Sequence, residues 1–336
     1  MKIIVDAFGG DNAPLAVIKG AKLAIDECGV DILLVGDEKK IKQIMQENQI
    51  SSDKISIAHT DGEPVTMEDE PTVVYKSKKD SSLGVSAQLL RDAKGDALVS
   101  AGSTGAVLTA GLLIVKRLKG IKRAAIATSV PTVDGSYLLL DSGANSDCRP
   151  EMLVQFALMG SVYMQAVNGI KNPRIGLVNN GTEEEKGNEL HKSAHQLLKK
   201  APFNFVGNIE ASGLNAGQCD VAITDGFTGN VILKLTEGLS KAMFSMIKST
   251  LMSTTMGKIG GALIKPSLSS LKSKLDPNEV GGAPLLGLSK PVIKAHGSSN
   301  EIAIKNAIKQ AVICVNSDII GKMENGLNQI NEAEKE

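Results

Sequence analysis

Five apolar runs with strand character each lead directly into a short loop of glycine and small polar residues: DAFGGD at Asp6 to Asp11, SAGSTGA at Ser100 to Ala106, DSGAN at Asp141 to Asn145, NNGTEEEKGN at Asn179 to Asn188 and TDGFTGN at Thr224 to Asn230. In an open α/β sheet the carboxyl ends of strands and the amino termini of the following helices form one crevice, where backbone N–H groups and helix dipoles favour an anion. Such loops therefore predict one convergent polar site that suits phosphate. The first of these runs is Ile3 to Val5; a further apolar run at Ile32 to Val35, and helix-length amphipathic segments such as Glu151 to Val167, alternate with them along the chain. That alternation predicts an α/β fold with a doubly wound, mostly parallel sheet in a three-layer αβα arrangement. No linker rich in Pro, Gly or Ser divides the sequence, so residues 1–324 are expected to form one catalytic unit, as one body or two coupled lobes, followed by a loosely ordered tail at 325–336.

Charge and composition exclude several classes. Lys plus Arg equals Asp plus Glu at 37 each, so no overall field draws the chain to nucleic acid. The absence of Trp, with three Tyr and six Phe, leaves few rings on which bases could stack. Cys28, Cys148, Cys219 and Cys314 lack CxxC spacing and fit neither a zinc site nor a disulfide framework, which points to a reducing cytoplasm. The amino terminus opens directly on a strand, and no segment has the length of a membrane span, so neither export nor membrane integration is expected.

Two loops are alike. DALVSAGSTGAVL from Asp96 and DVAITDGFTGNVI from Asp220 share the leading Asp, the apolar strand, G-x-T-G and a helix opening with Val, as paired halves of one site would. Glycine lets backbone approach a ligand closely, and Thr104 or Thr228 can cap its helix or donate its hydroxyl to a ligand oxygen.

DAFGGD, ALVSAGSTGA, LLLDSGAN, GTEEEKGNE, VAITDGFTGNV with LKLTEG, and GGAPLLGL with a later HGSS together resemble the acyl-ACP:phosphate acyltransferase family of bacterial phospholipid synthesis, in order and spacing from Lys2 to about Ile320. Phe8 stands where that family usually has Met, and Ser103 where it usually has Asn. The resemblance implies transfer of a long-chain acyl group from the thioester of acyl carrier protein to inorganic phosphate. It also implies a fold similar to isocitrate and isopropylmalate dehydrogenases and to phosphotransacetylase, a homodimer, and no cofactor or metal.

Phosphate is already anionic at neutral pH, so the enzyme's tasks are to position it and to stabilise the tetrahedral oxyanion. Lys186 is assigned the charge beside phosphate, and Asn230 the amide that donates to the oxyanion; both are the catalytic candidates. Substrate-binding candidates are Gly9, Gly10 and Asp11 in the first loop, then Gly102, Ser103, Thr104 and Gly105 in the second. Asn145, Gly181, Thr182, Gly226, Thr228 and Gly229 follow from the later loops, with His296 and Ser298 from HGSS. Thr182 with Glu185 reads as a capping box over an acidic first turn, which leaves Lys186 the alternative role of an intrahelical ion-pair partner. Asp6, Asp141 and Asp225 read best as acceptors that hold their own loops.

His191 and His195, one helical turn apart, read as a solvated face, lacking the HExxH glutamate or a third metal ligand. Cys148 could carry the acyl group covalently, but direct attack by phosphate is the favoured reading. Leu251 to Leu275 interleaves Leu251, Met252, Met256, Ile259, Leu263, Ile264 and Leu268 with Lys258, Lys265, Lys272 and Lys274, as an interfacial hairpin or a dimer face would. The enzyme is thus expected in the cytoplasm with peripheral contact to the membrane surface. Two basic clusters, Lys76, Lys78 and Lys79, then Lys116, Arg117, Lys119, Lys122 and Arg123, could meet an acidic carrier protein or form ordinary solvated faces. Rival functions are phosphotransacetylase-type transfer from coenzyme A, a nicotinamide-dependent dehydrogenase without GxGxxG after its first strand, and an inert scaffold at the membrane.

Overall fold

The structure, a computed structural model, describes residues 1–274 and 281–333. Twelve strands are present among them: β1 (Lys2–Asp6), β2 (Asp31–Gly36), β3 (Ile55–His59), β4 (Ala97–Ser100), β5 (Ala125–Ile126), β6 (Thr128–Pro131), β7 (Ser136–Leu140), β8 (Ile175–Asn179), β9 (Phe205–Glu210), β10 (Val221–Ile223), β11 (Ala283–Leu286) and β12 (Val292–Lys294). They form a seven-stranded sheet in the order β3-β2-β1-β4-β12-β11-β5 and a five-stranded sheet in the order β6-β7-β10-β8-β9. The mostly parallel α/β expectation holds, with the strands divided between two sheets. Pairing of β1 with β2 and β4, and of β10 with β7 and β8, is parallel, so the strand ends that carry the glycine loops lie on one side of each sheet. Antiparallel pairs occur where β11 meets β5 and β12, and where β6 meets β7.

Helices cover the sheet faces, which explains why the central strands are continuous apolar runs rather than alternating ones. Ile3, Val5, Ile32, Leu34, Leu138, Leu140, Phe156 and Val221 are buried in one continuous core. The helices Leu15–Cys28 and Glu301–Asn316 pack so closely that a Cβ on Gly20 would stand 2.6 Å from the Cβ of Ile304. Gly29, at φ +68°, ends the first of these helices in the left-handed conformation that a side chain disfavours.

Several local expectations change. The helix Ile319–Ala333 continues through Asn325, where a loose tail was expected, and residues 334–336 lie outside the described residues. The predicted helix start at Thr182 does not form. Gly187 turns at φ +88°, Asn188 accepts from the His191 N–H as the cap, and the helix runs from Glu189 to Lys200. Asn outcompetes Thr here because the chain from Asn179 to Lys186 is tied to itself, the Asn179 amide donating to the Lys186 carbonyl at 3.1 Å. His195 is buried rather than solvated: its Nδ1 pairs with Asn208 Oδ1 at 3.0 Å, and its ring packs edge-on against Phe205.

Candidate active site

The loops interlock before they meet any ligand. Asp6 accepts from Ser82 Oγ at 2.5 Å and Ser100 Oγ at 2.7 Å, which joins the end of β1 to the end of β4. A Cβ on Gly9 would lie 2.8 Å from the Gly102 backbone nitrogen, so these glycines permit loop-on-loop contact. The Asp11 N–H donates to the Gly297 carbonyl at 2.8 Å and the Asn12 amide reaches the Ser298 carbonyl at 3.1 Å, which brings the HGSS segment to the same place.

The other sheet repeats this construction. Buried Asp141 accepts backbone N–H bonds from Ile126, Gly143, Ala144 and Asn145, and burial still raises its pKa against those bonds. Asn145 is occupied structurally: its amide donates to the Ala124 carbonyl and to Asp141, and its own carbonyl accepts from the Gly226 N–H at 2.7 Å. A Cβ on Gly229 would come within 1.9 Å of the Asp141 carbonyl oxygen, so Gly226 and Gly229 serve contact between DSGAN and DGFTGN. Asp225 caps the helix Gly226–Met252, accepting from both the Thr228 N–H and the Thr228 hydroxyl, so that hydroxyl is committed to the cap.

Between the sheets lies a cavity of 440 Å³. Thr104 from one G-x-T-G loop and Asn230 from the other both line it, with Gly143, Lys294 and His296. The similar loops thus do face one space from opposite sheets. Gly9, Gly10, Asp11, Gly102, Ser103, Gly105, Ser298 and the glycines of the last loop are not among the lining residues. Lys186 is not among the lining residues: its ammonium lies 3.9 Å from Glu183, it is half exposed, and its stem packs over Gly181 beside Thr182.

Sequence reasoning missed Lys294. It sits on β12 with 9% of its surface exposed, and burial pulls its pKa down to about 8, with nearby Asp11 opposing that shift and Lys234 adding to it. A lysine inside the otherwise apolar run PVIKA was the available signal, because buried charge needs a reason. Its ammonium also donates to the Ala295 carbonyl. His296 Nδ1 accepts from the Ser298 N–H, which leaves Nε2 to carry the proton. Burial, then Lys234 and Lys294, lowers the His296 pKa, so the ring is neutral at pH 7.

The helix Gly226–Met252 presents Asn230, Leu233, Lys234 and Glu237 to the cavity at helical spacing. Lys234 and Glu237 form an ion pair at 3.0 Å. Ile126, Val130, Pro131, Leu233 and Ala283 supply apolar wall, so the chamber combines a hydrophobic lining with buried positive charge. That combination suits an anion held against an apolar acyl group.

The family model described as "Fatty acid synthesis protein" matches residues 1–322. Relatives named phosphate acyltransferase include one from Alkaliphilus oremlandii, 46% identical with both chains covered completely, and one from Bacillus cereus, 50% identical over 95% of this chain and 96% of its own. The chain belongs to the phosphate acyltransferase family. It is therefore an enzyme, and the cavity is where its chemistry should be sought. Among solved structures, a phosphotransacetylase from Streptococcus pyogenes superposes with a TM-score of 0.64 at 16% identity, covering 96% of this chain and 94% of its own. A 4-hydroxythreonine-4-phosphate dehydrogenase from Klebsiella pneumoniae gives 0.51 at 11%, covering 94% and 99%. These likenesses establish the shared fold of this acyltransferase.

Cys148 in this acyltransferase is partly buried, its thiol bonded to the Asn145 carbonyl at 3.6 Å. Burial, with Asp141 and Asp225 adding to it, pushes its pKa up to about 12, so almost no thiolate exists at neutral pH. Cys148→Ala should therefore retain turnover close to wild type. Loss of acyl phosphate formation in a folded variant, measured with the same thioester, would show a covalent route instead.

Proposed function

We propose that this enzyme transfers a long-chain fatty acyl group from the thioester of acyl carrier protein to inorganic phosphate, making acyl phosphate for phospholipid synthesis. The observation that carries the reading is the mostly apolar cavity that holds buried Lys294 opposite Asn230. A phosphate oxygen attacks the thioester carbonyl carbon and forms the new C–O bond while the carbonyl electrons move onto oxygen. Asn230 Nδ2 donates to that oxyanion. Collapse restores the carbonyl, breaks the C–S bond and releases the thiolate, which takes a proton from water. Lys294 neutralises the phosphate, taking the charge that the sequence suggested for Lys186, and Ile126, Val130 and Leu233 face the first methylenes of the chain. The sheets act as coupled lobes of one catalytic unit.

Purified enzyme incubated with palmitoyl carrier protein and labelled orthophosphate should yield a hydroxylamine-sensitive acyl product. A parallel reaction with palmitoyl-CoA separates the phosphotransacetylase-type alternative, which requires the faster rate there. No acyl phosphate from either donor would overturn both readings.

The carrier protein is acidic, and the cluster Lys116, Arg117, Lys119, Lys122 and Arg123 is the better dock for it. All five are exposed, and β5 runs from them to Ile126 in the cavity wall. Lys78 in the other cluster is already committed to Asp69 at 2.7 Å. Phe227, Val231, Leu235, Leu239 and Met243 form an exposed stripe along the helix Gly226–Met252, on a different face from the one turned to the cavity. We assign that stripe to a second copy in a homodimer.

Beyond Met252 the chain turns and the helix Thr255–Lys274 packs back on its predecessor. Met256, Ile259, Leu263 and Ile264 are exposed there, as are Lys258 and Lys265. Leu275 and the side chains of Lys272 and Lys274 lie outside the described residues. No described helix is long and apolar enough to cross a membrane. The hairpin instead supports peripheral attachment of a cytoplasmic enzyme through the exposed apolar residues of its second helix. Leu263→Glu with Ile264→Glu should abolish flotation with anionic vesicles, and unchanged flotation of the folded variant would remove this segment from membrane contact.

A further inference from the structure

The two sheets are joined by a ladder that stops short. β5 and β11 run antiparallel with Ile126 opposite Leu285, and one further rung follows from the Ala127 N–H to the Pro284 carbonyl at 3.0 Å. Continued in that register, the next rung would join Ser129 to Gly282. Among the described residues no hydrogen bond does so. The strands diverge there into a fork, and Ser129 and Gly282 line both the main cavity and a smaller one of 130 Å³.

The backbone of Ser129 points into this fork. Its neighbour across the hairpin, Leu138, sends its N–H the other way, to the Asp220 carbonyl at 2.9 Å. The rung from the Thr132 N–H to the Gly135 carbonyl sets the same phase, in which Val130 and Thr128 bond to β7 while Ser129 and Pro131 face outward. Proline has no N–H, so this edge offers the Ser129 N–H with the carbonyls of Ser129 and Pro131. All four residues of β6 line the cavity that also contains Asn230 and Lys294.

We propose that the fork seats the pantetheine arm of the acyl donor, whose secondary amides complete the interrupted ladder at Ser129 as an added strand. This rests on the reading that the donor is a pantetheine thioester. An extended chain bearing amides spaced by methylenes carries the donors and acceptors that a strand edge lacks. The fatty chain cannot satisfy these groups, and burying them unpaired is costly. Phosphate is drawn instead to Lys234 and Lys294. The arm lying along β6 delivers its thioester to the space between Asn230 and Lys294, so Ser129 is a positioning residue that acts through its backbone.

Ser129→Pro removes the outward N–H at an edge position where proline leaves the β6–β7 ladder intact. The measurement is kcat/KM for an acyl-pantetheine thioester relative to an alkanethiol thioester of the same acyl chain without amides. In the wild type the pantetheine compound should be favoured, and in Ser129→Pro that preference should fall about tenfold, the effect of one hydrogen bond. An unaltered ratio, or equal loss with both compounds, overturns the proposal. If the variant does not fold, wild-type enzyme can be assayed with pantetheine thioesters N-methylated at both amides: a loss of about tenfold or more supports the fork, and equal rates overturn it. Acyl phosphate formed equally well from thioesters with and without amides would sink the fork alone, whereas none from any thioester would sink the underlying reading.

Discussion

Lys294→Met should bind phosphate far more weakly, with kcat/KM for phosphate down by about a hundredfold or more, and yet be more stable than wild type at pH 7. The activity loss follows from removing the cation buried in the cavity wall. The stability gain follows from linkage. The folded-state pKa is lowered from 10.5 to about 8, so between those values the unfolded chain binds more protons and wild-type stability rises with pH. Below pH 8 the cost of burying the ammonium is fully present, on the order of 3 kcal/mol. Methionine avoids that cost but forfeits the bond to the Ala295 carbonyl, worth about 1 kcal/mol, so a net gain of about 2 kcal/mol is expected at pH 7. The advantage should shrink as pH rises from 8 towards 10.5. Urea unfolding from pH 6 upward, with and without phosphate, checks both parts, since phosphate should stabilise the wild type and leave the variant unaffected. A variant less stable at pH 7, or with an unchanged KM for phosphate, contradicts the assigned role.

Asn230→Ala should lower kcat by about a hundredfold or more with little change in either KM, because the amide is needed only when charge reaches the carbonyl oxygen. Asn230→Asp should be no better, since an ionised carboxylate accepts but does not donate. The side chain is exposed within the cavity and makes no described hydrogen bond to the protein, so neither variant should shift the unfolding midpoint appreciably. Stopped assays at saturating thioester and phosphate measure the effect. A kcat near wild type would remove Asn230 from the chemistry.

The strand-to-loop junctions at the ends of β1, β4, β7, β8 and β10 were legible because each couples an apolar run to glycines, two local signals that agree. The pairing of the two G-x-T-G loops, which bring Thr104 and Asn230 to one cavity, was visible as internal similarity. Lys294 was not, because its strand is only three residues long and the charges that act on it, Asp11 and Lys234, come from chain far away in sequence. β6 was missed for a related reason: its importance lies in an edge left open, and an absent neighbour leaves no trace in local composition. At Thr182 the capping motif was real as a pattern but lost to Gly187 and Asn188, whose turn and cap suit the same stretch better. His195 was read from its own helix, while its partner Asn208 comes from β9.

Asn230 is carried by one sheet's helix and Lys294 by a strand of the other, with the shared rung at Ala127 and Pro284 between them. With Asn230 and Lys294 in the roles proposed for them, the distance across which phosphate must meet carbonyl is thus set by a joint that contains neither group. A misalignment of about 1 Å there, with every cavity side chain unaltered, can cost on the order of a hundredfold in rate. Substitutions at this joint should therefore look, in a kinetic screen, like damage to the catalytic groups themselves.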